Sequence, residues 1–289
     1  CLIHQLSMQN SKVEDTKFPR NTSIRVRDIL FDLSTPKVMG IVNVTPDSFY
    51  SESRTTKGNL LTIVEKMVIE GMQIVDIGGY SSRPGAANID VKEELNRVIP
   101  AISAIRKEFP ELLISLDTFR SEVAEKGILA GADIINDISG FSIDPNLVDI
   151  VAKYNVPYIL MHMRGTPETM QSMTDYECIF NDMILYFSEK IEILKEAGVN
   201  DIIIDPGFGF SKTIDQNYYL LEHLDDFLIL DKPILAGLSR KSMIYKRLNT
   251  TPEDELTLDG TIALNKIALQ KGASILRVHD VKEAVELIK

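Results

Sequence analysis

Two sets of side chains in this sequence have the chemistry to grip a small polar substrate. Asp117, Asn136 and Asp205 form the first. A carboxylate accepts two parallel N–H bonds from a guanidine-like edge, and an amide matches an edge that mixes donors with acceptors. Together they suit a flat, nitrogen-rich heterocycle. Arg83, Arg277 and His279 form the second set. They are cationic or can become so, and arginine forks are well matched to phosphate or pyrophosphate oxygens. Within IDPGFGF (204–210), Phe208 and Phe210 either stack on a flat ring or pack beneath their loop.

Taken singly, each of these residues has a plainer explanation. An aspartate closing a strand often forms a turn or caps a helix, Arg277 or Lys241 can be a solvated cation, and His279 can cap the last helix. Position favours a site. Apolar runs occur at KVMGIVN (37–43), MQIVDIG (72–78), LLISLD (112–117), DIIND (133–137), PYILMH (157–162), DIIID (201–205), PILAGLS (233–239) and SILRVH (274–279). Nearly all close on polar residues: Asn43, Asp76, Asp117, Asn136, His162, Asp205, Ser239 followed by Arg240 and Lys241, and Arg277 with His279. So many separate strands ending this way is hard to attribute to caps.

Between the runs, apolar residues recur at helical spacing: Leu60, Leu61, Val64, Met67 and Val68, then Val91, Leu95, Val98, Ile99 and Ile102, and later Ile179, Met183, Phe187 and Ile191. Asp90 with Glu93 and Asp280 with Glu283 read as capping boxes, and Asp144-Pro145 as a cap followed by a first helical proline. Gly198 and Gly272 stand where helices should end. Strands alternating with helices imply a parallel sheet. About eight such units over roughly 250 residues predict a single-domain α/β fold, a closed (β/α)₈ barrel over residues 23–289. No glycine-rich dinucleotide fingerprint follows the first strand, which disfavours an open nucleotide-binding sheet. SIRVRDILFDLS (23–34) alternates partly and predicts a short hairpin closing the bottom, after a flexible segment over residues 1–22. In such a barrel the strand ends converge on one mouth, with the phosphate site in the loops after the last two strands. Here those loops are GLSRKS and RVHD.

Composition narrows the functional classes. The chain has 289 residues, 44% hydrophobic and 25% charged, with a net charge of -11. That is a globular balance, not a disordered or membrane one. The acidity argues against a nucleic-acid partner, and no apolar run approaches the ~18 residues of a membrane span. CLIHQLSMQNSK carries no readable secretion signal. Two cysteines make no disulfide framework, which fits a reducing compartment, so a cytoplasmic location is expected.

The motifs MGIVNVTPDSF (39–49), DIGGYSSRPGA (76–86), SLDTFR (115–120), INDISG (135–140), MHMRGTPETMQ (161–171), IIIDPGFGF (202–210), GLSRKSMI (237–244) and RVHDV (277–281) together resemble the dihydropteroate synthases, in the family's order over residues 37–281. The resemblance implies a transferase of folate biosynthesis. Such an enzyme condenses 6-hydroxymethyl-7,8-dihydropterin pyrophosphate with p-aminobenzoate, giving 7,8-dihydropteroate and pyrophosphate, with Mg²⁺. It places the pterin on Asp117, Asn136, Asp205, Lys241 and Phe210. Arg83, Arg277 and His279 would hold the pyrophosphate, with Asn43 near it and the metal. Ser82, Arg83, Pro84, Ser239 and Lys241 would place the p-aminobenzoate, for which sulfonamides are expected competitors. Asp117, Lys241 and Arg277 carry the catalytic expectation, and a homodimer through helices near the chain's end is implied. Arg277→Ala would then cripple turnover while largely preserving the fold. The sequence departs from the family at Tyr80 (often Glu), Ser82 (often Thr) and Arg164 (often Gln). Its first loop runs SFYSESRTT without the family's frequent Ser-Asp-Gly-Gly continuation, and Glu52 is a candidate for the acid that orders it. Two rival readings stay open, a corrinoid-dependent pterin methyltransferase and a silent pterin-binding homologue. The first has no need of a pyrophosphate clamp, and the second would bind pterin without releasing pyrophosphate.

Overall fold

The computed structural model describes residues 21–44, 55–80 and 89–289, with side chains of residues 55–59 left aside. The chain opens with an antiparallel hairpin, β1 (Ser23–Val26) and β2 (Ile29–Asp32), joined through Arg27 at φ 55. Eight parallel strands follow: β3 (Lys37–Asn43), β4 (Ile74–Gly78), β5 (Leu113–Asp117), β6 (Ile134–Asp137), β7 (Tyr158–Met161), β8 (Ile202–Asp205), β9 (Leu235–Ala236) and β10 (Ile275–Val278). They pair in the order β8-β7-β6-β5-β4-β3-β10-β9, and a bridge from Ile204 to Ile234 links the two ends. The result is a (β/α)₈ barrel. Its helices are α1 (Thr55–Glu70), α2 (Val91–Glu108), α3 (Ser121–Ala130), α4 (Leu147–Tyr154), α5 (Ile179–Glu196), α6 (Ile214–Glu222), the single turn α7 (Ser242–Tyr245), α8 (Glu255–Gln270) and α9 (Val281–Ile288).

The two-residue period of a strand decides what lies inside. At the bottom, Met39, Ile74, Leu113, Ile134, Ile159, Ile203, Leu235 and Ile275 form one buried cluster, one residue from each barrel strand. Ile24 and Val26 of β1 and Leu33 join it, so the hairpin plugs the barrel floor as expected. The hairpin turn is pinned there. Arg27 donates to both oxygens of Asp133 (2.7 and 3.0 Å) and to the carbonyls of Pro110 and Leu112, and Arg106 shares the same carboxylate at 2.5 Å. Two residues further along, the inward face of the strands carries Asp76, Ser115, Asn136, Asp205 and Arg277. A barrel closed by oil below thus turns polar towards its C-terminal mouth.

Some local expectations are corrected. Asp90 caps α2 by accepting from the Glu93 amide at 2.7 Å, but the Glu93 side chain pairs with Arg97 and closes no box. Asp280 makes no side-chain cap; Arg240 holds both its oxygens at 2.8 Å. Asp144 accepts from the Ser121 amide at the start of α3, and α4 begins beyond it at Leu147. The reciprocal box occurs instead between Thr213 and Gln216, at the start of α6. Gly198 and Gly272 do take the left-handed backbone (φ 91) past their helices. Cys178, which precedes α5, is disulfide-bonded, so the cysteine count lends no support to a reducing compartment. Most of the segment 1–22 lies outside the described residues. Of it, Asn21 donates to Asp231 at 3.0 Å and the Thr22 carbonyl accepts from Leu33 at 2.7 Å.

Candidate active site

Strand register builds the mouth. Asn43, Gly78, Asp117 and Asn136 are successive partners across β3, β4, β5 and β6. Gly78 leaves the gap in this row. A Cβ there would stand 3.5 Å from Asn43 Oδ1 and 3.7 Å from Asp117 Cβ, so any side chain would fill the space between them.

Arg277 reaches into this row from β10. Its Nε donates to Asp76 Oδ2 at 2.7 Å and its Nη2 to Asp117 Oδ2 at 2.8 Å, while Asn136 Nδ2 donates to the same Asp76 oxygen at 3.1 Å. The sequence reading separates Arg277 from the acids and assigns it to pyrophosphate. The barrel puts it among them. Burial works against the guanidinium charge, but Asp76 and then Asp117 outweigh it and hold the group protonated beyond its ordinary range. Burial lifts the Asp117 carboxyl to about 7, against the pull of Arg277 and with a further push from Asp76.

The opposite side of the mouth is built by the loops after β8 and β9. Asp205 Oδ1 accepts from the Gly207 amide at 2.7 Å. Its Oδ2 and Lys241 Nζ would lie 4.0 and 3.9 Å from a Cβ on Gly237, so the two charges converge above that glycine. Lys241 Nζ also donates to the Phe208 carbonyl and sits 4.6 Å from the Phe210 ring centroid. Burial lowers the Lys241 ammonium to about 8, with Asp205 opposing. Burial raises the Asp205 carboxyl, with Lys241 the main opposing influence. The two phenylalanines divide: Phe208 is fully buried packing, whereas Phe210 stands at the rim beside Lys241 with Met161, Met163 and Phe119 nearby.

His279 and Ser239 meet at the third edge. Ser239 Oγ accepts from the His279 amide at 3.1 Å and lies 3.0 Å from His279 Nδ1. A hydroxyl has one proton and two lone pairs, so Ser239 can meet either tautomer of the His279 ring. Arg240, by contrast, is structural: besides Asp280 it holds the Pro252 carbonyl at 2.8 Å. Ser82, Arg83, Pro84 and Glu52 lie outside the described residues. Tyr80 packs edge-on to Phe119 at 5.1 Å and donates to Glu168, and Arg164 stacks on Tyr176 and pairs with Asp182.

Two residues without an assigned role prove central. Asp76, in the middle of β4, holds both Arg277 and Asn136. Lys212 is buried with its ammonium on the carbonyls of Gly207 (3.1 Å), Phe210 (2.9 Å) and His162 (3.3 Å) and on His162 Nδ1 (3.0 Å). It ties the DPGFGF loop to the end of β7. Lys212→Met would strand those buried acceptors, and a loss of about 2–4 kcal/mol in unfolding free energy is expected, read by urea denaturation. Unchanged stability would show that the loop holds its shape without this clamp.

Among the described residues, no group of three or more His, Cys, Asp and Glu side chains is placed to hold a metal, and no helix is long and apolar enough to cross a membrane.

Comparison with known proteins agrees with this geometry. A family model described as "Pterin binding enzyme" matches residues 39–279. The dihydropteroate synthase of Escherichia coli K12 is 45% identical over 263 residues, covering 89% of this chain and 91% of that protein. The Yersinia pestis dihydropteroate synthase, solved as a sulfonamide complex, superposes with a TM-score of 0.85 at 40% identity, covering 92% of this chain and 96% of that one. The Xanthomonas albilineans enzyme, solved with 4-aminobenzoic acid, superposes at 0.83 with 38% identity and the same coverage, 92% and 96%. With its acids, amide and cations at one barrel mouth and likeness over nearly its whole length, the chain belongs to the pterin-binding enzymes, in the dihydropteroate synthase family.

Proposed function

We propose that the protein joins 6-hydroxymethyl-7,8-dihydropterin pyrophosphate to p-aminobenzoate. The amine nitrogen bonds to the pterin methylene carbon, the C–O bond to the diphosphate breaks, and one amine proton is lost. The observation that carries this reading is the convergence of Asp117, Asn136 and Asp205 with Arg277 and Lys241 at one mouth. The acids and the amide match the donor-rich edge of a pterin. Arg277 keeps Nη1 without a hydrogen-bond partner among the described residues, and so has a donor left for the departing diphosphate. His279 stands at the same strand end, its ring held against Ser239. Preorganised donors placed where charge develops are the main source of rate in such a displacement. An arylamine is already a competent nucleophile, which agrees with His162 being engaged by Lys212. The p-aminobenzoate side of the reading rests on Lys241 and Ser239 together with Ser82, Arg83 and Pro84.

Asn43 offers one hard oxygen at the rim, and the described residues provide no multi-carboxylate cage. That donor set fits a Mg²⁺ held chiefly by diphosphate oxygens and water, with Asn43 as a protein ligand. When bound, Mg²⁺ would offset the charge gathering on the leaving group. A homodimer is also part of this reading, supported by exposed Leu248, Leu256 and Ile267 on and beside α8; light scattering at the monomer mass would count against it. So is a cytoplasmic location.

The decisive experiment is a coupled assay for pyrophosphate release. Release in step with p-aminobenzoate, inhibited by a sulfonamide, is expected. Pterin binding without release would overturn the proposal.

Ionisation gives a second check. A neutral pterin needs Asp117 as the carboxylate, which burial holds at about 7 in the free protein. Below that value the affinity for 6-hydroxymethylpterin should fall about tenfold per pH unit, since one proton must first be removed. Above about 8, where Lys241 loses its charge, the anionic p-aminobenzoate assigned to it should weaken more than the neutral pterin. Calorimetric titrations across this range test both limbs, and a flat profile would count against Asp117 as the acceptor.

A further inference from the structure

The pterin reading above leaves the most deeply buried acid of the barrel interior without a task. Asp76 has no exposed surface, and one of its oxygens does all the bonding seen. Oδ2 accepts from Arg277 Nε at 2.7 Å and from Asn136 Nδ2 at 3.1 Å, while Oδ1 has no partner among the described residues.

Two consequences follow from elementary hydrogen-bond chemistry. An ionised carboxylate only accepts, so only the NH₂ end of Asn136 can face Asp76. This settles the amide orientation by chemistry: Asn136 Oδ1 is turned away from Asp76 and is available as an acceptor. The second consequence concerns Arg277. Its Nε is held by Asp76 and its Nη2 by Asp117, so the guanidinium plane is fixed between two acids. An arginine fork with a single acid partner tends to bind it through two nitrogens. Without Asp76, Arg277 would be free to close on Asp117 in that manner and take both its oxygens.

We propose that Asp76 is a positioning residue for the pterin half of the reaction. By holding Asn136 and Arg277 on one oxygen, it fixes the acceptor face shown to the heterocycle and keeps Asp117 open. Asp76 touches neither substrate in this proposal; it acts through its two partners.

The test separates positioning from bulk stability. Asp76→Ala removes both hydrogen bonds. Asp76→Asn is isosteric and retains one carbonyl oxygen, but it also gains a donor that lets the Asn136 amide turn over. Steady-state kinetics on both, with circular dichroism to verify folding, should show KM for the pterin pyrophosphate raised about 10- to 100-fold, by analogy with the loss of groups that orient metal-binding side chains. KM for p-aminobenzoate should stay within about twofold of wild type, because neither Asn136 nor Asp117 is assigned to it. Binding of 6-hydroxymethylpterin, measured by calorimetry, should weaken by the same factor as KM, with Asn less affected than Ala. If Asp76→Ala does not fold, the isosteric variant carries the test alone. Unchanged KM for both substrates, with only melting temperature or active fraction reduced, would overturn the proposal and leave Asp76 as packing. Wild-type protein that binds no pterin would instead bring down the underlying reading, a result visible before any variant is made.

Discussion

Arg277→Ala should lose about a hundred- to a thousandfold in kcat/KM, the usual result of deleting one preorganised donor for developing negative charge. The sequence alone suggests a cripple that folds normally, but the structure predicts a price in stability as well. Arg277 is the cation shared by Asp76, fully buried, and Asp117, four-fifths buried. Stranding buried charge by removing its partner typically costs about 3–5 kcal/mol. The deficit should depend on pH with a definite sign. Burial already lifts Asp117 to about 7 in the intact protein, and Arg277 is the main influence pulling it down, so the variant's carboxyl moves higher still. An acid whose folded value exceeds its unfolded value binds its proton more tightly when folded, so stability is regained as pH falls through the folded value and lost as pH rises. Urea unfolding near pH 6 and near pH 8.5 should therefore show the larger gap from wild type at the higher pH, in keeping with that linkage. Near-normal turnover, or a gap that grows on acidification, would contradict the ion-pair arrangement.

The barrel is legible in the sequence because two periods do not overlap. β-branched runs with glycine-rich loops and amphipathic stretches with helical spacing alternate from Lys37 to the end, and the strands fall where those runs lie. Ladder length is less legible. PILAGLS yields only Leu235–Ala236, because beyond Ala236 the chain leaves the sheet to bring Ser239 against His279 and to put Arg240 in a left-handed turn facing Asp280. Caps mislead for a related reason. Asp280 and Asp144 have the right type and position, yet Arg240 and the Ser121 amide claim them from elsewhere in the fold.

The candidate site is legible as a set of residues but not as a network. Alternation within each strand puts Asp117, Asn136, Asp205 and Arg277 on the inward face, and residue type suggests a heterocycle and a phosphate. Sorting by charge then separates Arg277 from Asp117, although they bond across 160 positions of sequence. No local pattern reports a pairing that barrel closure creates. Asp76 is hidden in the same way: it reads as one more polar strand end until Arg277, 201 positions away, is seen on it. Lys212 is missed because a lysine just before a helix looks like a solvated cation, whereas the loop folds back over it.

Asp205→Asn should be the most damaging single-atom change on the pterin side. Its Oδ1 is taken by the Gly207 amide, and Oδ2 faces the mouth beside Lys241. Substitution puts an NH₂ donor either towards the Gly207 amide or towards the donor edge of the pterin, so one donor–donor conflict is unavoidable. Sites built around a buried hydrogen bond discriminate strongly when it is broken, and hydrogen bonds to charged groups are worth about 1.5–3 kcal/mol each. Weakening of 6-hydroxymethylpterin binding by about a hundredfold, with KM for p-aminobenzoate little changed, is therefore expected from calorimetry and steady-state kinetics. Stability should not follow affinity downwards. Burial raises the Asp205 carboxyl, with Lys241 opposing, so the ionised form is a cost to the free protein at neutral pH, relieved only as pH falls through the raised value. A neutral amide avoids that cost, and the ligand-free variant should melt at or above the wild-type temperature near pH 8, a trade of stability against binding common at active sites. A variant that both melts early and binds pterin normally would place Asp205 in the framework of the barrel, not in its pocket.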